Sequence, residues 1–354
     1  MTTVPPQPSG TTLVVRLDSD GDVLLAGPAV RAVAASGDRV VMLVGPQGAA
    51  AARLLPGVDE VLVWPCPWIV ADPSPVDPDD VVEVVARLRA VGAARALVLT
   101  SFHQSPLPTA LVLRLAGVGW VGAVSEDYPG SLLDLRHRLP DAGLHEAERQ
   151  LLLAEAAGFA LPSGDRGDLQ VRSALPATRA LTGDQPYVVV HPGASVPARA
   201  PGPQWSARLV QALLDAGRRV VVTGGPGETS LTAAVAVPGA VDLGGRTDLA
   251  ELADVLRRAE VVVVGNTGPA HLAAAVGTPV VSLFAPVVPA ERWRPWQVPH
   301  QLLGDQSAAC ALTRARTCPV AGHPCLDGVP VERAVAAVGT LSGSRPRPRQ
   351  EVPA

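Results

Sequence analysis

Short runs of β-branched residues alternate with helical segments along almost the whole chain, and this alternation constrains the fold more than any other feature. In the first half we predict strands at residues 12–17, 39–44, 60–63, 95–100 and 120–124. Helical stretches stand between them, for example at 79–90 and 108–115. Parallel strands buried on both faces have this short apolar character, and parallel pairing requires crossover connections that are usually helical. The pattern predicts an α/β fold built on a doubly wound parallel sheet.

A second series of the same kind follows a segment rich in Gly, Pro, Ser, Asp and Thr. Its strands are predicted at residues 187–190, 218–223, 261–264 and 279–283, and its helices begin near Gln204, Gly227, Asp248 and Gly268. The predicted domains are therefore an N-terminal domain over 11–160, a linker over 161–186, a C-terminal domain over 187–341 and a disordered tail over 342–354. Because ligands of open α/β sheets bind beyond the carboxyl ends of the strands, we expect two Rossmann-like domains that face a cleft.

The charged residues exclude several classes of protein. All 29 basic residues are arginine, so a P-loop lysine or a Schiff-base lysine is not available. The net charge of −4 gives no support for nucleic-acid binding. Neither of the glycine-containing turns at predicted strand ends, at 191–195 and 224–228, carries the dinucleotide-binding fingerprint GxGxxG, which argues against a Rossmann dehydrogenase.

We expect neither a membrane span nor an export signal in this sequence. No apolar run approaches the ~18 residues that suggest a membrane span. The N-terminal stretch MTTVPPQPSGTT lacks the basic and apolar regions of a signal peptide, and the four cysteines do not form a secreted disulfide framework. We therefore expect a cytoplasmic protein without a membrane span.

A strand-to-helix turn with unusual chemistry follows the run Val261–Val264. Thr267 is a favourable N-cap, Gly268 allows close approach of a ligand, and Pro269 suits the first helical turn. Free backbone amides and the positive helix end suit a phosphate, to which His271 could add a donor. The alternative is a well-capped structural helix with a solvated or buried histidine.

A second candidate stands where the first strand meets the first helix, at Gly21 and Asp22. The helix dipole favours an ionised carboxylate at this place, and an ionised, positioned Asp can act as general base for a sugar hydroxyl. We interpret Asp18 and Asp20 as ordinary helix-start charges. Asp22 is the better candidate because Gly21 leaves room for a substrate.

Two glycine-containing turns, HPGAS at 191–195 and GGPGE at 224–228, stand at predicted strand ends and could line a nucleotide. Further along, Cys310, Cys318, His323 and Cys325 share one loop-rich stretch that lacks the CxxC pairs preferred by zinc. We interpret these cysteines as thiols packed under a loop, with metal binding as the alternative.

Together these segments resemble glycosyltransferase family 9, the ADP-heptose:lipopolysaccharide heptosyltransferases, from about residue 12 to residue 340. The resemblance rests on RLDSDGDVLL at 16–25, HPGAS at 191–195, GGPGE at 224–228, and NTGPAHLAAA at 266–275 with GTP at 277–279. The order and spacing of these four motifs are specific, whereas each alone is weak. The resemblance implies a GT-B fold, inverting chemistry, no required metal and no cofactor.

The resemblance also implies roles for individual residues. The family's catalytic base corresponds to Asp22, and its diphosphate-binding turn corresponds to Thr267, Gly268 and His271. The acidic residue that holds the nucleotide ribose corresponds to Glu228.

Three further residues are included among the candidates for binding the nucleotide sugar. Ser195 belongs to the HPGAS loop. The family's basic residue after that loop is often Lys, and the nearest candidate here is Arg199, which can neutralise phosphate bidentately. The Asp often found before the Thr/Ser–Gly pair is Asn266 in this chain.

We therefore expect an inverting, metal-independent glycosyltransferase that moves a sugar, heptose in the first place, from a nucleotide diphosphate donor such as ADP-heptose to an acceptor hydroxyl. The alternatives are a sugar-nucleotide epimerase of the same fold and a nucleotide-binding protein without catalysis. Retention of Asp22 argues against the second alternative. The sequence leaves open whether the acceptor is a glycan or a small natural product, which sugar and nucleobase the donor carries, and the oligomeric state.

Overall fold

The computed structural model describes residues 10–70, 73–140 and 143–344. The chain divides into two compact units, Met1–Arg172 and Ser173–Ala354. The tail predicted over 342–354 lies outside the described residues from position 345 onward.

The first unit is built on a six-stranded parallel sheet. Its strands are β1 (Thr11–Arg16), β2 (Arg39–Val44), β3 (Glu60–Val63), β4 (Arg95–Val98), β5 (Trp120–Val124) and β6 (Leu135–His137). Their order is β3-β2-β1-β4-β5-β6. The helices are α1 (Asp20–Leu25), α2 (Gly27–Ala34), α3 (Ala49–Leu54), α4 (Pro78–Val91), α5 (Leu107–Leu115) and α6 (Glu146–Ala156).

The second unit repeats this architecture. Its strands are β7 (Val188–His191), β8 (Val220–Gly224), β9 (Val241–Gly244), β10 (Val261–Gly265), β11 (Val280–Leu283) and β12 (His300–Leu303). Their order is β12-β11-β10-β7-β8-β9, which is the order of the first sheet read from the other edge. The helices are α7 (Arg179–Thr182), α8 (Pro203–Asp215), α9 (Thr229–Val235), α10 (Leu249–Arg258), α11 (Gly268–Ala275), α12 (Ala290–Trp293), α13 (Pro324–Asp327) and α14 (Val331–Leu341).

The central strands are buried on both faces, as the apolar runs predict. On β1, the consecutive residues Leu13, Val14 and Val15 are at most 1% exposed. Val14 pairs with Met42 of β2 on one side and with Leu97 of β4 on the other. Burial of both faces accounts for the absence of a polar alternation in these strands.

In each sheet the strand order reverses between two neighbouring strands. These are β1 and β4 in the first unit and β7 and β10 in the second. Such a switch point opens a crevice at the carboxyl ends of the strands, where ligands of doubly wound sheets bind. The loops after these four strands are therefore the places to search for a site.

Helix boundaries follow from local capping chemistry. Asp77 caps α4 by accepting a hydrogen bond from the amide of Asp79 at 2.9 Å, Pro78 occupies the first turn, and Gly92 ends the helix with φ of 65°. The first helical segment after β1 is interrupted at Ala26 into α1 and α2. Pro28 is the second residue of α2, and its missing amide hydrogen suits the first turn of a new helix.

All nine predicted strands are present within two residues of their predicted ends, and three further strands were not predicted. These three are β6, β9 and β12, each of which lies at an edge of its sheet. Most of their residues are only partly buried. An edge strand is covered on fewer sides, and these three lack the apolar run that identifies the predicted strands.

Residues of the segment predicted as a linker are anchored to both units. The Asp165 carboxylate accepts from Arg31 of α2 at 2.7 and 3.0 Å. On the other side, the Thr178 hydroxyl and amide donate to Asp254 of α10 at 2.7 and 2.9 Å. Among the described residues, no helix has the length and apolar character needed to cross a membrane.

Candidate functional site

The carboxylate of Asp22 is held at the switch point of the first sheet. Helix α1 begins at Asp20 with Ser19 as its N-cap residue, so Asp22 lies in the first turn. The Ser19 hydroxyl donates to Asp22 Oδ2 at 3.0 Å, and Arg16 Nη2 donates to Asp22 Oδ1 at 2.9 Å. The side chain remains 23% exposed, so this oriented carboxylate is still accessible to a ligand.

Arg16 connects the loops that follow β1 and β4. It is the last residue of β1, and its side chain is completely buried. Its Nη2 also donates to the Ser101 hydroxyl at 2.8 Å, and its Nε lies 3.1 Å from Asp18 Oδ2. Gln104 Nε2 in turn donates to Asp18 Oδ1 at 2.6 Å. The two loops at the switch point are thus joined by charge-assisted hydrogen bonds, which are stronger than neutral ones.

The interpretation of Asp18 as an ordinary helix-start charge is wrong, whereas Asp20 lies in the first turn of α1, as expected. Asp18 precedes the helix, is only 13% exposed on its side chain and pairs with Arg16. Burial raises its pKa, although the guanidinium opposes this shift. Asp20 accepts from the amide of Ala51 at 3.0 Å and so ties α1 to α3, and burial raises its pKa as well.

Glu146, the first residue of α6, completes the charged cluster and is completely buried. Its carboxyl group accepts from the Phe102 amide at 3.4 Å and from Gln150 Nε2 at 3.3 Å. Burial raises the pKa of Glu146, while the charges of Arg16 and Arg149 act in the opposite direction. A buried carboxyl with only long hydrogen bonds favours its neutral form.

Sequence reasoning missed most of the residues around Asp22, namely Arg16, Ser101, Gln104 and Glu146. An arginine at the end of an apolar strand is an available signal, because a fully buried guanidinium requires carboxylates nearby. Ser101, Gln104 and Glu146 are 85 to 130 positions from Arg16 in the chain, so no local pattern identifies them.

In the second unit, α11 begins at Gly268 directly after β10, at the switch point of that sheet. Thr267 is the N-cap residue with extended backbone, but its hydroxyl makes no capping hydrogen bond. The reason is local: Pro269 has no amide hydrogen, and the Ala270 amide already bonds to the Thr267 carbonyl at 3.0 Å. His271 lies in the next position and is buried. The turn therefore presents a hydroxyl and a helix N-terminus, as a phosphate site requires.

Asn266 holds this turn against the loop after β11. Its Oδ1 accepts from the Ala285 amide at 3.1 Å, and its Nδ2 donates to the Ala285 carbonyl at 3.4 Å. The side chain is 5% exposed. A carboxylate could accept the first bond but could not donate the second, which gives a structural reason for Asn at this position.

The HPGAS and GGPGE turns come together around Glu228. Glu228 Oε2 accepts from the Gly225 amide at 2.7 Å and lies 3.8 Å from His191 Nε2. A Cβ atom at Gly193 would collide with the Glu228 carboxylate, so only glycine leaves that carboxylate in place. The Thr223 hydroxyl lies 3.0 Å from His191 Nδ1. Burial lowers the pKa of His191, an effect that Glu228 partly offsets.

Arg199 reaches the same edge of the sheet through its backbone. It ends the 3₁₀ turn Pro197–Arg199, and a Cβ atom at Gly265 would collide with its carbonyl oxygen. The loop after β7 and the turn after β10 are therefore in close contact. Ser195, in the same loop, is exposed.

The cysteine-containing stretch covers the loops at the carboxyl edge of the second sheet. The Leu312 and Arg314 amides donate to the carbonyls of Pro286 and Val287, each at 2.8 Å, and the Ala198 amide donates to the Arg316 carbonyl at 2.9 Å. Sequence reasoning did not predict this cover.

The cysteines of this stretch are mainly packing residues. Cys310 and Cys325 belong to the hydrophobic core of the second unit, as predicted. Burial raises the pKa of Cys325 to about 11. Within residues 10–70, 73–140 and 143–344, no group of three or more His, Cys, Asp or Glu side chains has an arrangement that could hold a metal ion.

Comparisons with known proteins agree with this architecture. Residues 81–323 match glycosyltransferase family 9 (heptosyltransferase). The chain is similar to lipopolysaccharide heptosyltransferase 3 of Escherichia coli strain K12, with 29% identity over 170 residues, or 45% of this chain and 49% of that protein. The matched regions span from 34% to 49% of the length of the curated relatives.

Two solved structures show the same fold. The E. coli ADP-heptose lps heptosyltransferase II has a TM-score of 0.73 at 19% identity, over 94% of this chain and 99% of that chain. The dodecameric iron-containing heptosyltransferase TibC, solved with ADP-D-beta-D-heptose, has a TM-score of 0.55 at 14% identity, over 94% of this chain and 76% of that chain. The predicted fold class, GT-B with two Rossmann-like domains, is confirmed.

Proposed function

The chain belongs to glycosyltransferase family 9, and on that premise we propose that it transfers heptose from ADP-heptose to an acceptor hydroxyl, with inversion at the anomeric carbon and without a divalent metal. The observation that carries the proposal is the position of Asp22 and of the turn formed by Thr267 and Gly268. Each lies at the switch point of its own sheet. Asp22 provides a carboxylate, and the turn provides a helix N-terminus.

In this proposal the first unit activates the acceptor. The Asp22 carboxylate accepts the proton of the attacking hydroxyl while the oxygen forms its bond to the anomeric carbon. Arg16 and Ser19 each bond one of its oxygens, so the rotamer is fixed before the acceptor arrives. A base that is already oriented does not have to be ordered during the reaction.

The second unit holds the donor and stabilises the leaving ADP. The helix N-terminus at Thr267 and Gly268, with His271 and the guanidinium of Arg199, receives the diphosphate and its developing charge. Glu228 accepts the ribose hydroxyls. Because Gly193 leaves the volume beside its carboxylate open, Glu228 can hold one position between the two glycine turns.

Inversion follows from a single displacement. The acceptor oxygen attacks the anomeric carbon from the face opposite the ADP, the bond between that carbon and the phosphate oxygen breaks, and ADP leaves with the electron pair. Asp22 keeps the proton until it passes to solvent. Neutralisation of the leaving group by arginine, amides and a histidine makes a divalent cation unnecessary.

Calorimetry with ADP-heptose and ADP, followed by ADP release in the presence of candidate acceptors, tests the proposal. We expect binding of both nucleotides and stoichiometric formation of ADP and a glycoside of inverted configuration. An epimerase would instead return a sugar nucleotide of altered configuration without ADP. For the metal, we expect ADP release to be unchanged by EDTA; loss of activity that Mg²⁺, Mn²⁺ or iron restores would contradict this part.

A further inference from the structure

We propose that Arg16 and Asp18 are positioning residues for Asp22. The Arg16 guanidinium pairs with both aspartates, and their competition for it sets the pH range in which Asp22 can act as base. Glu146 stays protonated in this arrangement. The inference rests on the function proposed above, since it concerns the base of that reaction. It extends that function by assigning roles to three residues around the base, of which Arg16 and Glu146 are completely buried.

The Arg16 guanidinium contacts both aspartates directly. Arg16 Nη2 is 2.9 Å from Asp22 Oδ1, and Arg16 Nε is 3.1 Å from Asp18 Oδ2. The guanidinium is completely buried, so water does not screen either ion pair from that side. A change in the charge of one aspartate must therefore be felt at the other through their common partner.

The balance of charges favours a neutral form for one carboxyl group of the cluster. Asp18, Asp22 and Glu146 together would place three negative charges near two guanidinium groups, those of Arg16 and Arg149. Glu146 is the least stabilised as an anion, because its hydrogen bonds of 3.3 and 3.4 Å are longer than the bonds of 2.6 to 3.0 Å made by the two aspartates. The direction of its pKa agrees, since burial raises it.

Other charged groups on the helices packed around α1 have partners of their own or act on Glu146. On α2, Arg31 pairs with Asp165 at 2.7 Å, and on α3, Arg53 donates to the Ala49 carbonyl at 3.2 Å. Asp20 bonds to the Ala51 amide. Arg149 of α6 acts on Glu146 and lowers its pKa, against the larger effect of burial.

The shared guanidinium gives Asp22 an intermediate basicity. A guanidinium devoted to one carboxylate would stabilise the anion strongly and leave a poor base. Sharing with Asp18 weakens that stabilisation, so Asp22 stays ionised near neutral pH and yet can accept a proton.

The test is a carbon NMR titration of the full chain labelled with ¹³Cγ-aspartate, in which the Asp22 signal is the one lost in Asp22→Asn. Removing the competing carboxylate in Asp18→Asn should lower the Asp22 titration midpoint by about one pH unit. Removing the guanidinium in Arg16→Met should raise it by about one to three pH units. Arg16→Lys keeps the charge and should restore most of the difference, and Glu146→Gln should leave the midpoint unchanged.

Asp20→Asn is the matched control, because Asp20 starts the same helix without contacting Arg16. The acidic limb of ADP release from ADP-heptose, with water as acceptor, should move in the same directions as the NMR midpoints. Midpoints that stay constant in both Asp18→Asn and Arg16→Met, or that move in one direction in both, overturn the inference. If Arg16→Met does not fold, the isosteric Asp18→Asn decides alone.

Failure of the inference is distinguishable from failure of the proposed function. The titration needs no turnover, so it remains informative if the enzyme uses a different donor. Wild-type turnover by Asp22→Asn would remove the base from the mechanism, whatever the midpoints show. A fall of the midpoint in Glu146→Gln would show that Glu146 is ionised, and would remove that part of the inference.

Discussion

The two units share a strand order, but different contacts hold the loops together at their two switch points. In the first unit, the loops after β1 and β4 are joined by ionised side chains, with Arg16 between Asp18 and Asp22. In the second unit, the loops after β7, β8 and β10 approach each other at glycines, two of which leave no room for a side chain. One topology thus supports two kinds of site.

The difference suits two tasks. Moving a proton requires a titratable group whose basicity is controlled by neighbouring charges. Binding a phosphate requires backbone donors and space for a large anion. The first site should therefore be sensitive to substitutions that remove charge and keep volume, and the second to substitutions that add volume and keep charge.

The largest effect is expected for Asp22→Asn, which keeps the volume of the side chain and removes its basicity. Turnover should fall by about 10²–10⁴-fold, the usual contribution of a general base. ADP-heptose affinity, measured by calorimetry, should stay the same because we propose the donor site in the second unit. Asp20→Asn is the control and should have a much milder effect. A loss of donor binding in Asp22→Asn would show that Asp22 also contributes to binding the donor, against the proposal.

Gly193→Ala makes the opposite type of change, in volume without charge. The added methyl group must displace the Glu228 carboxylate, which we expect to weaken ADP-heptose binding by about 10–100-fold, the cost of one charge-assisted hydrogen bond. Gly227→Ala is the matched control, since a Cβ atom there meets nothing within 4 Å. Equal affinities of the two variants for ADP-heptose would show that Glu228 is not part of the donor site.

Gly268→Val tests the helix N-terminus. A branched side chain at the first position of α11 should obstruct the diphosphate and weaken ADP binding by about tenfold, in line with the energy of an anion at a helix end. Adenosine, which has no phosphate, should bind both proteins alike. Unchanged ADP affinity by calorimetry would place the diphosphate elsewhere.

The smallest effect concerns pH and His191. Because its pKa is lowered in the folded state, the unfolded chain takes up a proton near pH 6.5 before the folded protein does. Stability must then fall as the pH drops below about 6.5, and His191→Gln should remove part of this loss. Between pH 8 and pH 5, the melting temperature of the wild type should fall by about 2–4 °C more than that of His191→Gln. An equal acid sensitivity of both proteins would show that His191 is not the titrating group.

Much of the molecule was predictable from local patterns. The nine predicted strands, the starts of α10 and α11, and the glycine turns at the strand ends all depend on residues close together in the chain. Apolar runs, N-caps and glycines act through backbone sterics and burial, which a sequence displays directly. The family resemblance came from the same segments, and the comparisons confirm it.

The partners of the site residues were not predictable in this way. Asp18 was misinterpreted because its neighbours in the chain suggest a helix start, whereas its ion pair with a buried strand-end arginine exists only once β1 is packed in the sheet. The same holds for Glu146, which meets the Arg16 charge from 130 positions away, and for Asn266, whose amide is matched to the Ala285 backbone. Local sterics determine where strands and helices form. Which polar groups meet, and how strongly each holds its proton, depends on burial and charge at distances of a few ångströms, and the folded sheets alone establish those.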